Sequence, residues 1–399
     1  MTKRVAILTG GGDVPGLNTC LKSLVYRLVD LGYEPIGVRK GWEGLVEYNP
    51  RDPTTYSEHF IELTKNMVRP IDRTPGSFLH SSRLDPRLVV PAMVPEHLRQ
   101  PGSQSQDLTD HIQDVFKRLD FKALIVIGDD DTLHYAAYLS QRGIPLIAIP
   151  KTIHNNIKGT DYTLGFSTSL ARGVALIHEL RSLAASREQT VVIETFAARN
   201  GYSALLMALL SGADRVIIPE IPYDPDKLAA MVQQDKRETP ANYSVVLVCD
   251  GSRPTAEKIE KYKLIVPPGS IHDTQPPVQE QAAFLPGQVL AGSGMVVAEL
   301  LCHISKEEVI HQPLTYLLRT GTPDGQDLLG AFNFAFTAAR LLHEEKYGRM
   351  AAFVQDQMWT HVDLGLAGQG IKEFDFDSWY DAESYKPHLA LIWSVDENN

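Results

Sequence analysis

The sequence predicts an α/β protein whose parallel sheets are connected by crossover helices, and three observations predict it. Short apolar runs of strand length alternate with segments of helical period through most of the chain. Two of these runs end in glycine turns, LTGGGD and IGDDDT. The chain has 399 residues, 43% of them apolar and 22% charged, enough to bury two medium cores, so two domains are expected.

In chain order, strands are expected at Val5–Leu8, Pro35–Val38, Ala123–Ile127, Leu146–Ile149, Thr190–Ile193, Val216–Ile218, Val245–Val248 and Met350–Val354. After the first glycine turn, Leu17, Leu21, Leu24, Leu28 and Leu31 recur at alternating spacings of four and three, which places them on one face of a helix that packs on the sheet. Residues 97–110 and 266–287 are rich in Pro, Gly, Gln and Ser and read as surface excursions. The aromatic run FNFAF at 332–336 lies on an apolar helix and reads as core. The tail, 373–399, carries acids with Trp379, Tyr380 and Trp393 and packs either on the body or on a neighbouring subunit.

Composition narrows the function. The net charge of −11, from 38 basic and 49 acidic residues, is dispersed, and no basic stripe is present, so neither nucleic acid nor an anionic membrane is an expected partner. Cys20, Cys249 and Cys302 lack metal-ligand spacing and fit a reducing cytosol. No apolar window approaches the roughly 18 residues of a membrane span, and the N-terminal run is short for a secretion signal, so a cytoplasmic location is expected.

TGGGDVPGLN stands between an expected strand and helix, where amides freed by Gly10, Gly11 and Gly12 could converge on an anion such as phosphate. The alternative is that three glycines merely permit a tight turn. The spacing is neither the dinucleotide G-x-G-x-x-G nor the P-loop G-K-[ST] pattern. IGDDDT sets three carboxylates at the end of another strand, which suggests Mg2+ or, failing that, a solvated acidic turn.

LTGGGDVPGLN, GSFLHSSR, IGDDDT, PKTIHNNIKGTDYTLGF, VVIETFAARNG, IPEIPYD and RTGTPD follow one another in this order, and across most of its length the chain resembles the phosphofructokinase family. The resemblance implies two doubly wound, Rossmann-like domains facing across a cleft, assembled as a homodimer or homotetramer. It implies a domain of residues 1–165 plus about 318–370 for the phosphoryl donor and Mg2+, and one of 166–317 plus the C-terminal tail for the acceptor. In ATP users of the family, the residues matching Asp131 and Lys151 are glycines. Here a carboxylate would repel an α-phosphate and an ammonium could neutralise pyrophosphate, the pattern of pyrophosphate-dependent members, so pyrophosphate is expected before ATP. The same matching assigns Gly11, Gly12, Arg83 and Asp131 to the donor phosphates, Asp130 and Asp129 to the metal, and Lys151, Thr152 and His154 to catalysis.

The acceptor side departs from the family. Its PKTIDND supplies an aspartate base and a second aspartate near the metal, which match His154 and Asn156 here. Its M-G-R is met by Phe196-Ala197-Ala198, with Arg199 one place on. Positions where the family grips the acceptor's phosphate match Gln189, Ile310 and Tyr316; Arg319 keeps its charge, and Glu220 matches the carboxylate that contacts sugar hydroxyls. A charge-assisted phosphate contact contributes roughly 1.5 to 3 kcal/mol, so losing three removes on the order of 5 to 9 kcal/mol of acceptor binding. Histidine is itself a competent base near neutrality. Three readings follow: a Mg2+-dependent phosphotransferase using pyrophosphate and an altered sugar phosphate or polyol acceptor; a catalytically silent relative that binds phosphate or regulates; and a fructose 6-phosphate kinase with compensating residues.

Overall fold

The strands of the two main sheets run in chain order β1 (Arg4–Thr9), β2 (Glu34–Val38), β3 (Phe60–Glu62), β4 (Ala123–Gly128), β5 (Leu146–Pro150), β6 (Thr190–Thr195), β7 (Arg215–Ile217), β8 (Ser244–Cys249), β9 (Val309–Pro313), β10 (Arg349–Val354) and β11 (Met358–Asp363). The structure is a computed structural model and describes residues 3–100, 102, 105–262, 264 and 292–388. The chain divides into two units, Met1–Ser169 with Arg319–Lys372, and Leu170–Leu318 with Glu373–Asn399.

The first unit holds a seven-stranded sheet ordered β11-β10-β5-β4-β1-β2-β3. Its five inner strands are parallel, and β3 and β11 close the two rims in antiparallel fashion. Val5–Leu8 and Ala123–Ile127 are wholly buried, as expected of parallel strands covered on both faces. These unbroken apolar runs are what made the inner strands legible. The rim strands β3 and β11 were not expected, nor was β9 in the second unit. Their residues are mostly half-exposed and mix polar with apolar, so no continuous run marks them.

The helix Leu17–Asp30 buries Leu17, Leu21, Leu24 and Leu28. Leu31, expected on the same face, lies beyond the last turn as the C-cap, its N–H bonded back to the carbonyls of Arg27 and Val29, and is partly exposed. This helix packs along Gly325–His343, which is N-capped by the Asp324 side chain accepting from Asp327 N. The FNFAF run lies on that second helix but is not all core. Phe334 is 0% exposed, whereas Phe332 and Phe336 are 52% and 54% exposed, because a helix turns alternate residues away from a one-sided contact. The Arg27 guanidinium covers Phe336 at 4.8 Å.

The second unit contains the four-stranded parallel sheet β7-β8-β6-β9. Arg215 of β7 holds Asp235 through two short hydrogen bonds of 2.7 and 2.5 Å, both side chains nearly inaccessible. The tail packs on its own unit as far as it is described. Tyr380 is buried and donates to Val216 O at 2.8 Å, and the Tyr385 hydroxyl accepts from Asp224 N at 2.9 Å. Trp379 lies 5.6 Å from the Tyr202 ring. Trp393 and the 266–287 excursion lie outside the described residues. The other excursion, around 97–110, carries a helical turn at Glu96–Leu98 and a bridge between Gln106 and Val89. Among the described residues no helix is long and apolar enough to cross a membrane.

Candidate active site

β1, β4 and β5 are adjacent and parallel, so the segments leaving their C-terminal ends meet at one edge of the first sheet. In doubly wound sheets this edge is where ligands bind. The first glycine turn follows β1, the acidic turn follows β4, and Lys151, Thr152 and His154 follow β5.

The glycine turn differs from the expected open cradle. Gly10 N donates to Ile127 O at 3.0 Å and Gly11 N to Ser82 O at 2.9 Å, so two of its three amides are committed to backbone. The helix starts only at Leu17, after an intervening Asp13–Gly16 segment, so its first amides are not part of the turn. GSFLHSSR has a structural part here: the Ser81 hydroxyl donates to Gly11 O at 2.5 Å and Thr9 Oγ1 to His80 O at 2.8 Å, stitching that loop to the turn. Gly11 needs its lack of a side chain, with φ at +79° and the space of a Cβ filled by Asp129.

IGDDDT also has a structural part. Asp129 is the N-cap of the helix Asp130–Gln141, its Oδ1 accepting from Thr132 N at 3.2 Å and Thr132 Oγ1 at 2.7 Å. Asp130 and Asp131 occupy the first turn, where the helix dipole favours negative charge. The other Asp129 oxygen, Oδ2, accepts from Gly12 N at 3.3 Å. Both oxygens thus accept hydrogen bonds from the chain, beside the metal role expected of Asp129. Burial opposes its charge, but Lys151, the Thr132 bonds and Arg83 outweigh that and hold the carboxyl below its ordinary range.

Lys151 is 0% exposed and donates from Nζ to Gly12 O at 2.6 Å. Burial pushes its ammonium down to about 8, with Asp129 and Asp13 resisting and Arg319 and Arg83 adding to the fall. Arg319 and Arg83 both reach Gly12: a Cβ there would lie 2.4 Å from Arg319 Nη1 and 3.1 Å from Arg83 Nη2. Arg319, expected with the acceptor, therefore stands over the first glycine turn. Asn156 Nδ2 donates to Asp130 Oδ2 of the acidic turn at 3.4 Å. The Thr152 hydroxyl accepts from His154 N at 3.1 Å and fixes the start of the His154-Asn155-Asn156 turn, in which Asn155 has φ of +52°.

Sequence reasoning missed the residue that holds this loop. Asp327 is fully buried and accepts from Tyr162 OH, from Gly165 N at 2.7 Å, from Thr168 N at 2.9 Å and from Thr168 Oγ1 at 2.5 Å. IKGTDYTLGF is to that extent a structural motif. Leu164 O accepts from Thr152 N at 3.1 Å, and Thr163 Oγ1 donates to Thr152 O at 2.8 Å, tying the fastened segment to the functional one. The signal in the sequence is an acid three residues after the N-cap Asp324, inside an otherwise apolar helix.

In the second unit, Glu220 accepts from Gly201 N at 2.8 Å, and burial raises its carboxyl. Its Oε2 has no hydrogen-bond partner among the described residues. The positions that match the family's acceptor-phosphate cations carry other interactions. Gln189 donates to Glu308 at 2.9 Å, Ile310 on the edge strand β9 pairs with Val191, and the Tyr316 ring meets Phe196 edge-on at 5.2 Å.

The phosphofructokinase family model matches residues 4–342. The chain belongs to the phosphofructokinase family. It is 31% identical over 373 residues to pyrophosphate–fructose 6-phosphate 1-phosphotransferase of Dictyoglomus thermophilum, covering 93% of this chain and 95% of that one. It is 30% identical over 350 residues to ATP-dependent 6-phosphofructokinase 3 of Streptomyces coelicolor, covering 88% and 90%. Its fold matches the crystal structure of pyrophosphate-dependent phosphofructokinase from Marinobacter aquaeolei with a TM-score of 0.72 at 16% identity, over 98% of this chain and 89% of that one. Phosphofructokinase relatives of this chain thus include users of both donors. Family enzymes are generally Mg2+-dependent. Mg2+ is commonly held by one or two carboxylates together with substrate phosphates, and Asp130 at the sheet edge fits that mode.

Proposed function

We propose that this phosphofructokinase-family chain is a Mg2+-dependent phosphotransferase with pyrophosphate as donor and a sugar phosphate or related polyol as acceptor. The observation that carries the donor choice is the buried Lys151 ammonium bonded to the first glycine turn at Gly12, with Arg83 and Arg319 also close to Gly12. A compact dianion or trianion gains most from cations enclosed in low dielectric. Asp131, exposed on the first turn of Asp130–Gln141, opposes a longer polyphosphate tail. In this reading Gly12, Arg83, Arg319 and Lys151 bind and orient the donor, and Mg2+ on Asp130 would neutralise phosphoryl oxygens. His154 takes the acceptor's hydroxyl proton, and Glu220 contacts the acceptor's hydroxyls. Gln189, Ile310 and Tyr316 supply no cation, which argues against ordinary fructose 6-phosphate.

A second reading, a silent phosphate-binding or regulatory relative, is favoured by the Asp129 carboxylate lying on the glycine turn. Phosphorus NMR of the protein with Mg2+, pyrophosphate or ATP, and a panel of free and phosphorylated sugars separates the readings. A phosphoester with orthophosphate release from pyrophosphate alone is expected. Pyrophosphate binding without any ester would leave the silent relative, and rapid turnover of fructose 6-phosphate would overturn the acceptor argument.

A further inference from the structure

We propose that the Asp129 carboxylate is a built-in anion occupying the seat on the first glycine turn that an oxygen of a phosphoanion would otherwise take, and that it sets the affinity of that seat. The inference rests on the phosphate-binding part of the reading above, though not on pyrophosphate being the donor.

Capping the helix Asp130–Gln141 requires one carboxylate oxygen, and Oδ1 does this through Thr132. Oδ2 is turned instead onto the glycine turn, where a Cβ on Gly11 would lie 1.8 Å from it. It accepts from Gly12 N, whose amide is not taken by backbone as those of Gly10 and Gly11 are. At 3.3 Å that bond is long for N–H···O, so little is lost when another oxygen replaces it. Around the same turn stand the Lys151 ammonium and the Arg83 and Arg319 guanidinium groups, with Asp13 a second carboxylate acting on Lys151. A phosphoanion arriving there competes with a tethered carboxylate for the same amide and the same cations. The cost of displacing it also includes disturbing the helix cap, since a single side chain serves both.

The test compares wild type, Asp129→Gly and Asp129→Asn by calorimetric titration with inorganic phosphate and with pyrophosphate. Metal-free buffer is used so that Asp129 cannot act through a cation. Asp129→Gly is expected to tighten phosphoanion binding at least tenfold. Asp129→Asn, which keeps an oxygen for the cap but no charge, is expected to tighten it severalfold and carries the test if the glycine variant folds poorly. A gain with inorganic phosphate but not pyrophosphate supports the seat while removing pyrophosphate as donor. Unchanged or weaker binding of both anions in the folded variants overturns the proposal.

Discussion

Replacing Asp327 by alanine removes the acceptor shared by four donors: Tyr162 OH, Gly165 N, Thr168 N and Thr168 Oγ1. The two hydroxyls can rotate toward other acceptors, but the two amides are fixed in direction and buried. Leaving each unsatisfied costs about 1 to 3 kcal/mol, so Asp327→Ala is expected to destabilise the first unit by roughly 2 to 6 kcal/mol. Against a typical domain stability of about 5 to 15 kcal/mol this is a large fraction. Trp359 reports the transition directly, since its ring lies 5.1 Å from Phe334 and 6.4 Å from Tyr162, next to the lost contact. Urea unfolding followed by tryptophan fluorescence is compared with an exposed control, Asp356→Ala, expected within about 0.5 kcal/mol of wild type. Because Leu164 and Thr163 hold Thr152, any phosphotransfer is expected to fall along with stability. A midpoint for Asp327→Ala indistinguishable from the control would refute the claim that this carboxylate fastens the loop.

Lys151 makes stability depend on alkaline pH. Its ammonium titrates near 8 in the folded chain against an ordinary 10.5, so below about 8 both states are protonated and the burial penalty is fully present. Between about 8 and 10.5 the unfolded chain binds more protons and folding gains roughly 3 kcal/mol, a rise that Lys151→Met is expected to flatten in urea titrations at stepped pH. For the base, His154→Ala is expected to lower phosphoester formation at least tenfold while His154→Asp keeps or raises it; equal rates for alanine and wild type would remove His154 from the reaction. In the second unit, Arg215→Ala leaves Asp235 buried without its partner and is expected to cost about 3 to 5 kcal/mol by thermal or urea unfolding, whereas a loss below 1 kcal/mol would mean that water reaches the carboxylate.

How far the sequence led depended on whether a property was local. Inner strands announce themselves because burial on both faces demands an unbroken apolar run, as in Val5–Leu8. β9 and β11, half-exposed, have no such requirement. The meeting of Gly12, Asp129 and Lys151 follows from strand order, which places the ends of β1, β4 and β5 side by side. What each does was less legible. That Asp129 reaches Gly12, and that Gly11 N is bonded to Ser82 O, depend on register between segments far apart in the chain. Asp327 was missed because a buried acid in an amphipathic helix resembles a solvated one until its donors are known.

The placement of β10 beside β5 has a consequence for synthesis. β5 ends at Pro150 and its neighbour begins at Arg349, so the N-terminal strands leave the ribosome long before the sheet can be completed. At about 5 to 20 residues per second, an interval of about 200 residues lasts on the order of 10 to 40 seconds. During that time the apolar strand Leu146–Pro150 presents an open hydrogen-bonding edge, the feature that invites pairing with another nascent chain. Production of this protein should therefore respond to translation speed and to chaperone supply more strongly than its finished stability would suggest.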